Sequence, residues 1–186
     1  MSVQVARRYF TVDEYHRMGK AGVFSEDDRV ELIDGEILKM SPIGSRHAAS
    51  VNRLNMQFNN LLGGRAIVSV QNPIVLNDFS EPEPDIAILR RRDDFYAQAH
   101  PSASDALLVI EIADTSVEYD HDIKLPAYAR SAVPEVWIVD LPAETVALYA
   151  DLANGVYRAV TTHQRGDSIT PLHIPDLSIE VVGILG

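Results

Sequence analysis

Two continuous apolar segments, separated by a segment of helix length, constrain the fold of this chain most strongly. The first, "LLVIEIA", covers residues 107–113, and the second, "VWIVDL", covers residues 136–141. Strands this uniformly apolar are usually covered on both faces, as in a parallel pair joined by a crossover helix. We predict that helix at about residues 120–131, which makes a strand–helix–strand unit.

Hairpins are expected on both sides of this unit. Asp34-Gly35 lies in the middle of "RVELIDGEILKM", and Asn154-Gly155 separates "TVALYAD" from "GVYRAVTTH". Both dipeptides favour tight turns between antiparallel strands. Further strand-like runs are "AIVSVQ", "PIVL" and "DIAIL". The expected fold is α/β or α+β: a mixed β-sheet flanked by helices, with an N-terminal hairpin and a C-terminal hairpin.

Two helices are predicted before the sheet strands. The segment Thr11-Val-Asp-Glu14 has the form of a capping box, which starts a short helix. Residues 46–62 carry an apolar face, with Ser45 as the expected cap and Gly63-Gly64 as the end. The residues of that face are Ala48, Val51, Leu54, Phe58, Leu61 and Leu62. Since the chain has no repeat or linker, we expect one domain over residues 1–186.

The net charge of the chain limits the classes of partner that it is expected to bind. It has 16 Lys and Arg against 27 Asp and Glu, a net charge of −11. This balance argues against non-specific binding to DNA or anionic membranes, although it leaves room for a local basic groove. The chain has no cysteine, its first ten residues lack the apolar stretch of a signal peptide, and its apolar runs are too short to span a bilayer. We therefore expect a cytoplasmic protein.

Two carboxylates stand at the ends of apolar strands. Asp85 follows the prolines of "EPEPDIAIL", and Glu111 lies inside "LLVIEIA". Adjacent antiparallel strands would bring these residues together, where they would either repel or share a cation. Hard oxygen ligands suit Mg²⁺ or Mn²⁺ better than zinc. The alternative is structural: an exposed strand start for Asp85 and a salt bridge for Glu111.

Lys124 is the candidate cation beside this pair. It lies about one turn into the crossover helix, and helical side chains lean towards the N-terminus, which directs it back towards Glu111. Tyr128 shares its face and can pack against the lysine stem. The alternative is a solvated lysine. Asp120 and Asp122 are explained by helix capping.

The ordered set of motifs resembles the Uma-two family, a restriction-endonuclease-like group of the PD-(D/E)XK nuclease superfamily. The resemblance runs from about Arg8 to the C-terminus. It is carried by "VELIDGEILKMSPIGSRH", "EPEPDIAIL", "LLVIEIADTS" and "DHDIKLPAYARSAVPEVWIVDL". It implies a metal-dependent endonuclease that hydrolyses phosphodiester bonds of nucleic acid, leaving 5′-phosphate and 3′-hydroxyl ends.

The resemblance also implies a set of site residues. Asp85 and Glu111 would bind Mg²⁺ or Mn²⁺, with the Ile112 carbonyl as a third ligand. The superfamily lysine usually follows the acid by two residues, where this chain has Ala113. Lys124 matches the lysine that this family carries on a helix instead.

Three further positions match the family pattern. Glu31 matches an early acid that approaches the same cluster, His47 matches the histidine after "MSP", and Gln71 matches a polar residue that points towards the site. The alternatives are that Glu31 is one more hairpin residue and that His47 is a structural residue at a helix end. Trp137 is most simply a core residue, and Asp140 most simply caps a strand end.

Two functions remain open from the sequence. The first is a nuclease that acts on nucleic acid, DNA rather than RNA, as a homodimer by analogy with small nucleases. The second is a non-catalytic binding or scaffolding protein of nuclease fold, favoured by the acidic charge, the displaced lysine and the lack of an evident target-recognition segment. The basic run 90–92 either contacts phosphates or offsets Asp93 and Asp94.

Overall fold

The computed structural model describes residues 6–25 and 27–186. The prediction that the N-terminus is not a signal peptide rests partly on residues 1–5, which lie outside this range. The helices are α1 (Val12–Lys20), α2 (Ser45–Leu62), α3 (Val117–Tyr119), α4 (Leu125–Arg130) and α5 (Val181–Leu185). The strands are β1 (Val30–Ile33), β2 (Glu36–Lys39), β3 (Ala66–Val70), β4 (Ile86–Arg90), β5 (Ala106–Ala113), β6 (Val136–Asp140), β7 (Thr145–Ala153), β8 (Val156–Gln164), β9 (Ser168–Ile169) and β10 (Ile179–Glu180).

The predicted mixed sheet is confirmed. Six strands pair in the order β3-β4-β5-β6-β7-β8. The β5–β6 pair is parallel and the other four pairs are antiparallel. Both predicted hairpins are also confirmed: β1–β2 forms a two-stranded sheet of its own, and β7–β8 ends the large sheet.

Apolar side chains alternate along the central strands and fill two layers, as expected for a sheet covered on both faces. One layer lies under α2, and it contains Val51, Leu54, Phe58, Ile86, Ile88, Ile110, Ile112, Trp137 and Val139. The other lies under α4, and it contains Ala87, Leu89, Val109, Leu125, Tyr128, Val136 and Ile138. Asp85 and Glu111 follow the same alternation as Ala87 and Val109, so they belong to the face of the sheet that α4 covers.

The helix ends agree with the capping residues predicted from the sequence, with one exception. The capping box at the start of α1 is confirmed, because Thr11 and Glu14 exchange hydrogen bonds of 3.2 and 3.1 Å. Helix α2 ends at Gly63, which adopts the left-handed conformation. The prediction of Ser45 as cap is wrong: Gly44 is the N-cap, and Ser45 is already the first helical residue.

The prediction of a strand at "PIVL" is also wrong. Ile74 N–H donates to the Pro82 carbonyl at 3.0 Å, and Val75 N–H donates to the Pro101 carbonyl at 2.9 Å. Val75 forms an isolated parallel bridge with Ser102, which Ala103 N–H completes by donating to the Val75 carbonyl at 3.2 Å. Pro82 has no N–H with which to return the bond from Ile74, so the pairing does not extend into a strand.

The crossover helix starts earlier than predicted and contains an irregular turn. Helices α3 and α4 are joined by a π-helical turn, Asp120–Lys124, in which Leu125 N–H donates to the Asp120 carbonyl. Helical residues therefore run from 117 to 130. Wide turns of this kind are rare and occur frequently at functional sites.

Among the described residues, no helix has the length and apolarity needed to cross a membrane.

The turn of the first hairpin offers a direct test of a close contact. Gly35 has φ 78°, and a Cβ atom there would lie 2.5 Å from Tyr9 Cβ. Gly22 has φ 73°, and a Cβ atom there would meet no described atom within 4 Å. We expect Gly22→Ala to lower the free energy of unfolding by about 1 kcal/mol, the cost of the left-handed backbone.

Gly35→Ala should cost about 1–3 kcal/mol more than this control, because the added methyl group also overpacks Tyr9. Urea unfolding of both variants measures the difference. Equal losses in the two variants would show that the contact with Tyr9 relaxes freely.

Candidate active site

Asp85 and Glu111 face each other across two neighbouring strands. The antiparallel register of β4 and β5 pairs Ile86 with Ile110, so the next pair along the strands is Asp85 and Glu111. Asp85 N–H approaches Glu111 Oε2 at 3.4 Å. Like charges directly opposite each other destabilise a sheet unless other groups compensate them. The surroundings of both carboxylates supply such groups.

Three donors surround the Asp85 carboxylate. His47 Nε2 lies 2.9 Å from Oδ2, Ile112 N–H donates to Oδ2 at 2.9 Å, and Gln71 Nε2 donates to Oδ1 at 3.2 Å. Burial alone would raise the pKa of Asp85, but the hydrogen bonds from His47 and Ile112 and the charge of Lys124 outweigh it. The pKa of Asp85 therefore lies below its ordinary value, and the carboxylate is ionised at neutral pH.

His47 reaches Asp85 from the first turn of α2. Its Nδ1 is buried and has no hydrogen-bond partner among residues 6–25 and 27–186. Because an ionised carboxylate can only accept, the Nε2–H group of His47 is the donor in this contact. His47 thus acts as a donor to Asp85.

Glu111 is almost completely buried, with 2% of its surface exposed. Its Oε1 accepts hydrogen bonds from Lys124 Nζ at 2.8 Å and from the Tyr128 hydroxyl at 2.5 Å. Burial raises the pKa of Glu111 to about 8, against the opposing charge of Lys124. The nearby carboxylates of Asp120, Asp85 and Glu31 raise it further, so this site is short of positive charge.

Lys124 lies between two acids. It is 4% exposed, and its Nζ lies 3.4 Å from Glu31 Oε2 in addition to the contact with Glu111. It also donates to the Glu83 carbonyl at 3.4 Å. Burial alone would lower the pKa of Lys124, but the carboxylates of Glu111, Glu31 and Asp120 hold it well above its ordinary value. The ammonium group therefore stays charged.

The π-helical turn lets one helix supply several side chains to the cavity. In an α-helix, residues five apart differ by about 140° around the axis. The wider turn between Tyr119 and Lys124 brings them to the same side. Both contact Glu31, since the Tyr119 hydroxyl donates to Glu31 Oε1 at 2.9 Å. Tyr128 follows Lys124 by one normal turn and reaches Glu111.

Glu31 joins the cluster from the N-terminal hairpin. It is 1% exposed, and its Oε2 also accepts a hydrogen bond of 3.0 Å from Glu83 N–H. The structure thus places all five residues singled out as catalytic in the sequence, Asp85, Glu111, Lys124, Glu31 and His47, around one cavity.

Sequence reasoning missed the hydroxyl groups of Tyr119 and Tyr128 and the burial of Asp120. Asp120 is 5% exposed and accepts from Ser116 Oγ at 2.8 Å. Its interpretation as a capping residue is wrong, because it lies inside the helical run and lines the cavity. The spacing of Tyr119 and Lys124 gave no signal, because a regular α-helix would place residues five apart on different sides.

The cavity has a volume of about 440 Å³. Its acidic lining residues are Glu31, Glu83, Asp85, Glu111, Asp114, Glu118 and Asp120, and its cationic lining residues are Arg29, Lys39 and Lys124. Arg29 and Lys39 lie at the open end of the N-terminal hairpin. The segment 40–44 adds apolar surface through Met40, Pro42 and Ile43.

The two facing carboxylates have the donor chemistry of a Mg²⁺ or Mn²⁺ site. Residues 6–25 and 27–186 contain no group of three or more His, Cys, Asp or Glu side chains placed to hold a metal ion. Mg²⁺ is commonly bound by one or two carboxylates and completes its shell with water and phosphate oxygens. Asp85 and Glu111 therefore fit such an ion, and Ile112 lies in the same cavity wall.

The remaining sequence candidates lie elsewhere. Residue 90 is at the opposite end of β4 from Asp85, and each arginine of the run 90–92 has a partner in its own neighbourhood. Trp137 is fully buried under α2. Asp140 accepts a hydrogen bond from Ala143 N–H at the end of β6.

The burial of Asp120 predicts a pH-dependent stability in metal-free protein. Burial raises the pKa of Asp120 to about 6, against the charge of Lys124 and the hydrogen bond from Ser116. The unfolded chain ionises near pH 4, so the neutral carboxyl stabilises the fold below about pH 4 and this contribution is lost by about pH 6. The free energy of unfolding of the wild type, relative to Asp120→Asn, should fall between these values.

Denaturant titrations at several pH values in EDTA measure this difference. Asp78→Asn changes an exposed aspartate and serves as the control. A constant difference between wild type and Asp120→Asn from pH 4 to 6 would contradict the prediction.

Comparisons with known proteins agree with this architecture. One similar solved structure is a "putative nuclease belonging to DUF820" from Anabaena variabilis ATCC 29413. It shares 16% identity with this chain at a TM-score of 0.74, over 95% of this chain and 97% of that one, which shows a common fold. Among curated protein sequences, none matches. The family model Uma2, described as "Putative restriction endonuclease", matches residues 12–182, and the chain therefore belongs to the Uma2 family.

Proposed function

We propose that this protein is a metal-dependent endonuclease that hydrolyses phosphodiester bonds of nucleic acid. The observation that carries the proposal is the buried contact of Lys124 Nζ with Glu111 Oε1, beside the facing carboxylate of Asp85. Lys124 thereby supplies the positive charge that a lysine at position 113 would provide in the usual pattern, where this chain has Ala113. The Uma2 match and the nuclease-like fold support a nuclease as the general class.

In the proposed site, Asp85 and Glu111 would hold Mg²⁺ or Mn²⁺, with the Ile112 carbonyl as a third ligand. When bound, such an ion polarises the scissile phosphate and lowers the pKa of the attacking water. His47 and Gln71 keep Asp85 oriented, and Tyr128 does the same for Glu111. These contacts hold both carboxylates in place before substrate arrives.

Lys124 has the central role among the protein groups. Its ammonium group orients the attacking water and offsets the negative charge that develops on the phosphate oxygens. Glu31 also holds the ammonium group, and Tyr119 in turn donates a hydrogen bond to Glu31. Water adds to phosphorus as the bond to the 3′ oxygen breaks. One proton of the water ends on that oxygen and gives the 3′-hydroxyl group, and the other stays on the 5′-phosphate or passes to solvent.

The rival proposal is a non-catalytic binding or scaffolding protein of the same fold. The net charge of −11 favours it, since an acidic protein binds nucleic acid weakly. The displaced lysine no longer favours it, because Lys124 reaches Glu111 from the helix.

The proposal includes DNA as the substrate and a homodimer as the active form. Sedimentation equilibrium measures the oligomeric state, and a monomer at micromolar concentration would contradict the homodimer.

The metal site is tested by titration calorimetry with Mn²⁺. We expect binding by the wild type and its loss in Asp85→Asn, which removes one of the two charges that hold the ion. Asp78→Asn, an exposed change of the same kind, should bind like the wild type. Equal binding by all three proteins would remove Asp85 from the site.

The role of Lys124 is tested by Lys124→Gln, which keeps a hydrogen-bond donor but removes the charge. We expect Mg²⁺-dependent cleavage to fall by about 10²–10³-fold, the usual effect of losing one charge-stabilising group. Lys20→Gln, at the exposed end of α1, is the matched control. Because Lys124 compensates two buried acids, its loss should also lower the melting temperature.

Far-UV circular dichroism below the melting transition shows whether the variant is folded in the assay. Cleavage at the wild-type rate by folded Lys124→Gln protein would contradict the proposed role of this lysine.

A further inference from the structure

We propose that the cavity binds one unpaired nucleotide, so that the substrate is a single-stranded segment of nucleic acid and not the backbone of a closed double helix. This inference rests on the proposed function and assigns its substrate class. Three independent features of the cavity lead to it: its depth, its apolar wall and its charge.

The reacting groups lie too deep for a double helix. Glu31, Glu111 and Lys124 are each less than 5% exposed, and 15% of the Asp85 side chain is accessible. Duplex DNA is stiff, with a persistence length of about 150 base pairs, so bringing one of its phosphates into a recess requires a costly deformation. The volume of about 440 Å³ is that of a pocket for a small molecule, within the usual range of about 300–1,000 Å³. A single nucleotide can enter such a space.

One wall of the cavity is suited to a base. Met40, Pro42 and Ile43 line the cavity, and Ile43 is 42% exposed to solvent. The half-buried ring of Tyr119 lies in the same lining. In a closed duplex the bases are stacked on one another, so their flat faces cannot cover these side chains. An unpaired base has one, and bases stack readily on aromatic and apolar groups.

The charge of the cavity also favours a single strand. Seven carboxylates and three cationic side chains line it, so it repels dense negative charge. A duplex carries one charge per about 1.7 Å of its axis, whereas a single strand carries one per about 3.4 Å. The repulsion per unit length is therefore lower for a single strand. Lys39, exposed at the rim on β2, is placed to contact a phosphate next to the inserted nucleotide.

The experiment compares four matched nucleic acids: a short single-stranded DNA, the same sequence as RNA, its blunt DNA duplex and a covalently closed circular duplex. Cleavage is measured in Mg²⁺ with the wild-type protein. Affinity for the three short molecules is measured by fluorescence anisotropy at low salt, both in EDTA and in Ca²⁺, so that binding is also measured with a cation at the facing carboxylates. We expect cleavage of a single strand, no cleavage of the closed circle, and affinity for a single strand at least tenfold above that for the duplex. The DNA and RNA arms show which sugar the site accepts.

Ile43→Ser tests the apolar wall. It should weaken binding of the single strand by about fivefold, the lower end of the effect of removing a base-stacking group. Leu172→Ser changes an exposed apolar residue outside the cavity and should leave the affinity unchanged. Both variants alter surface side chains and should fold like the wild type.

The outcomes separate this inference from the proposed function. Binding of the duplex as tight as that of the single strand, or equally fast cleavage of the closed circle, would overturn the inference and leave the nuclease proposal standing. Single-strand binding that depends on Ile43, without cleavage of any substrate, would support the inference and contradict the nuclease proposal. Absence of both binding and cleavage would overturn both.

Discussion

The contact of Lys124 with Glu111 and Glu31 is the interaction on which the rest of the site depends. A buried ion pair gains little overall, but removing one partner commonly costs about 3–5 kcal/mol, because a charge is left without compensation. Here one ammonium group compensates acids from two different elements, β5 and the N-terminal hairpin. The helix, the hairpin and the sheet are therefore held in one arrangement by a group that is also proposed to act on substrate.

This arrangement requires the irregular turn in the crossover helix. A regular helix could direct Lys124 and Tyr128 towards Glu111, but it would turn Tyr119 away from Glu31. The π-helical turn corrects the direction at the cost of weaker local hydrogen bonding. The gain is a further donor to Glu31, in addition to Lys124 and Glu83 N–H. The irregular turn thus directs towards the buried acids the donors that these acids require.

The sequence was sufficient for the central sheet and for the meeting of Asp85 with Glu111, because continuous apolar runs fix which strands are buried and short connections fix their order. It was not sufficient for the "PIVL" segment, where the partners are prolines far along the chain. The position of the hairpin was also beyond local patterns. It is set by long-range backbone contacts, such as Glu81 N–H with the Leu32 carbonyl at 2.7 Å. The π-helical turn has no reliable local signal, so Tyr119 and Asp120 were missed.

The charges of the cluster explain why it is incomplete by itself. Asp85, Glu111, Glu31 and Asp120 contribute four negative charges when ionised, and Lys124 contributes one positive charge, which leaves three negative charges in one cavity. Burial and the neighbouring carboxylates raise the pKa of Glu111 to about 8, so the metal-free protein can relieve part of this charge by taking up a proton. A divalent cation would offset two of these charges and favour the ionised form of both facing carboxylates. A phosphate group would then meet much less negative charge than in the metal-free protein. We therefore expect a divalent cation to strengthen the binding of a phosphate group next to Asp85.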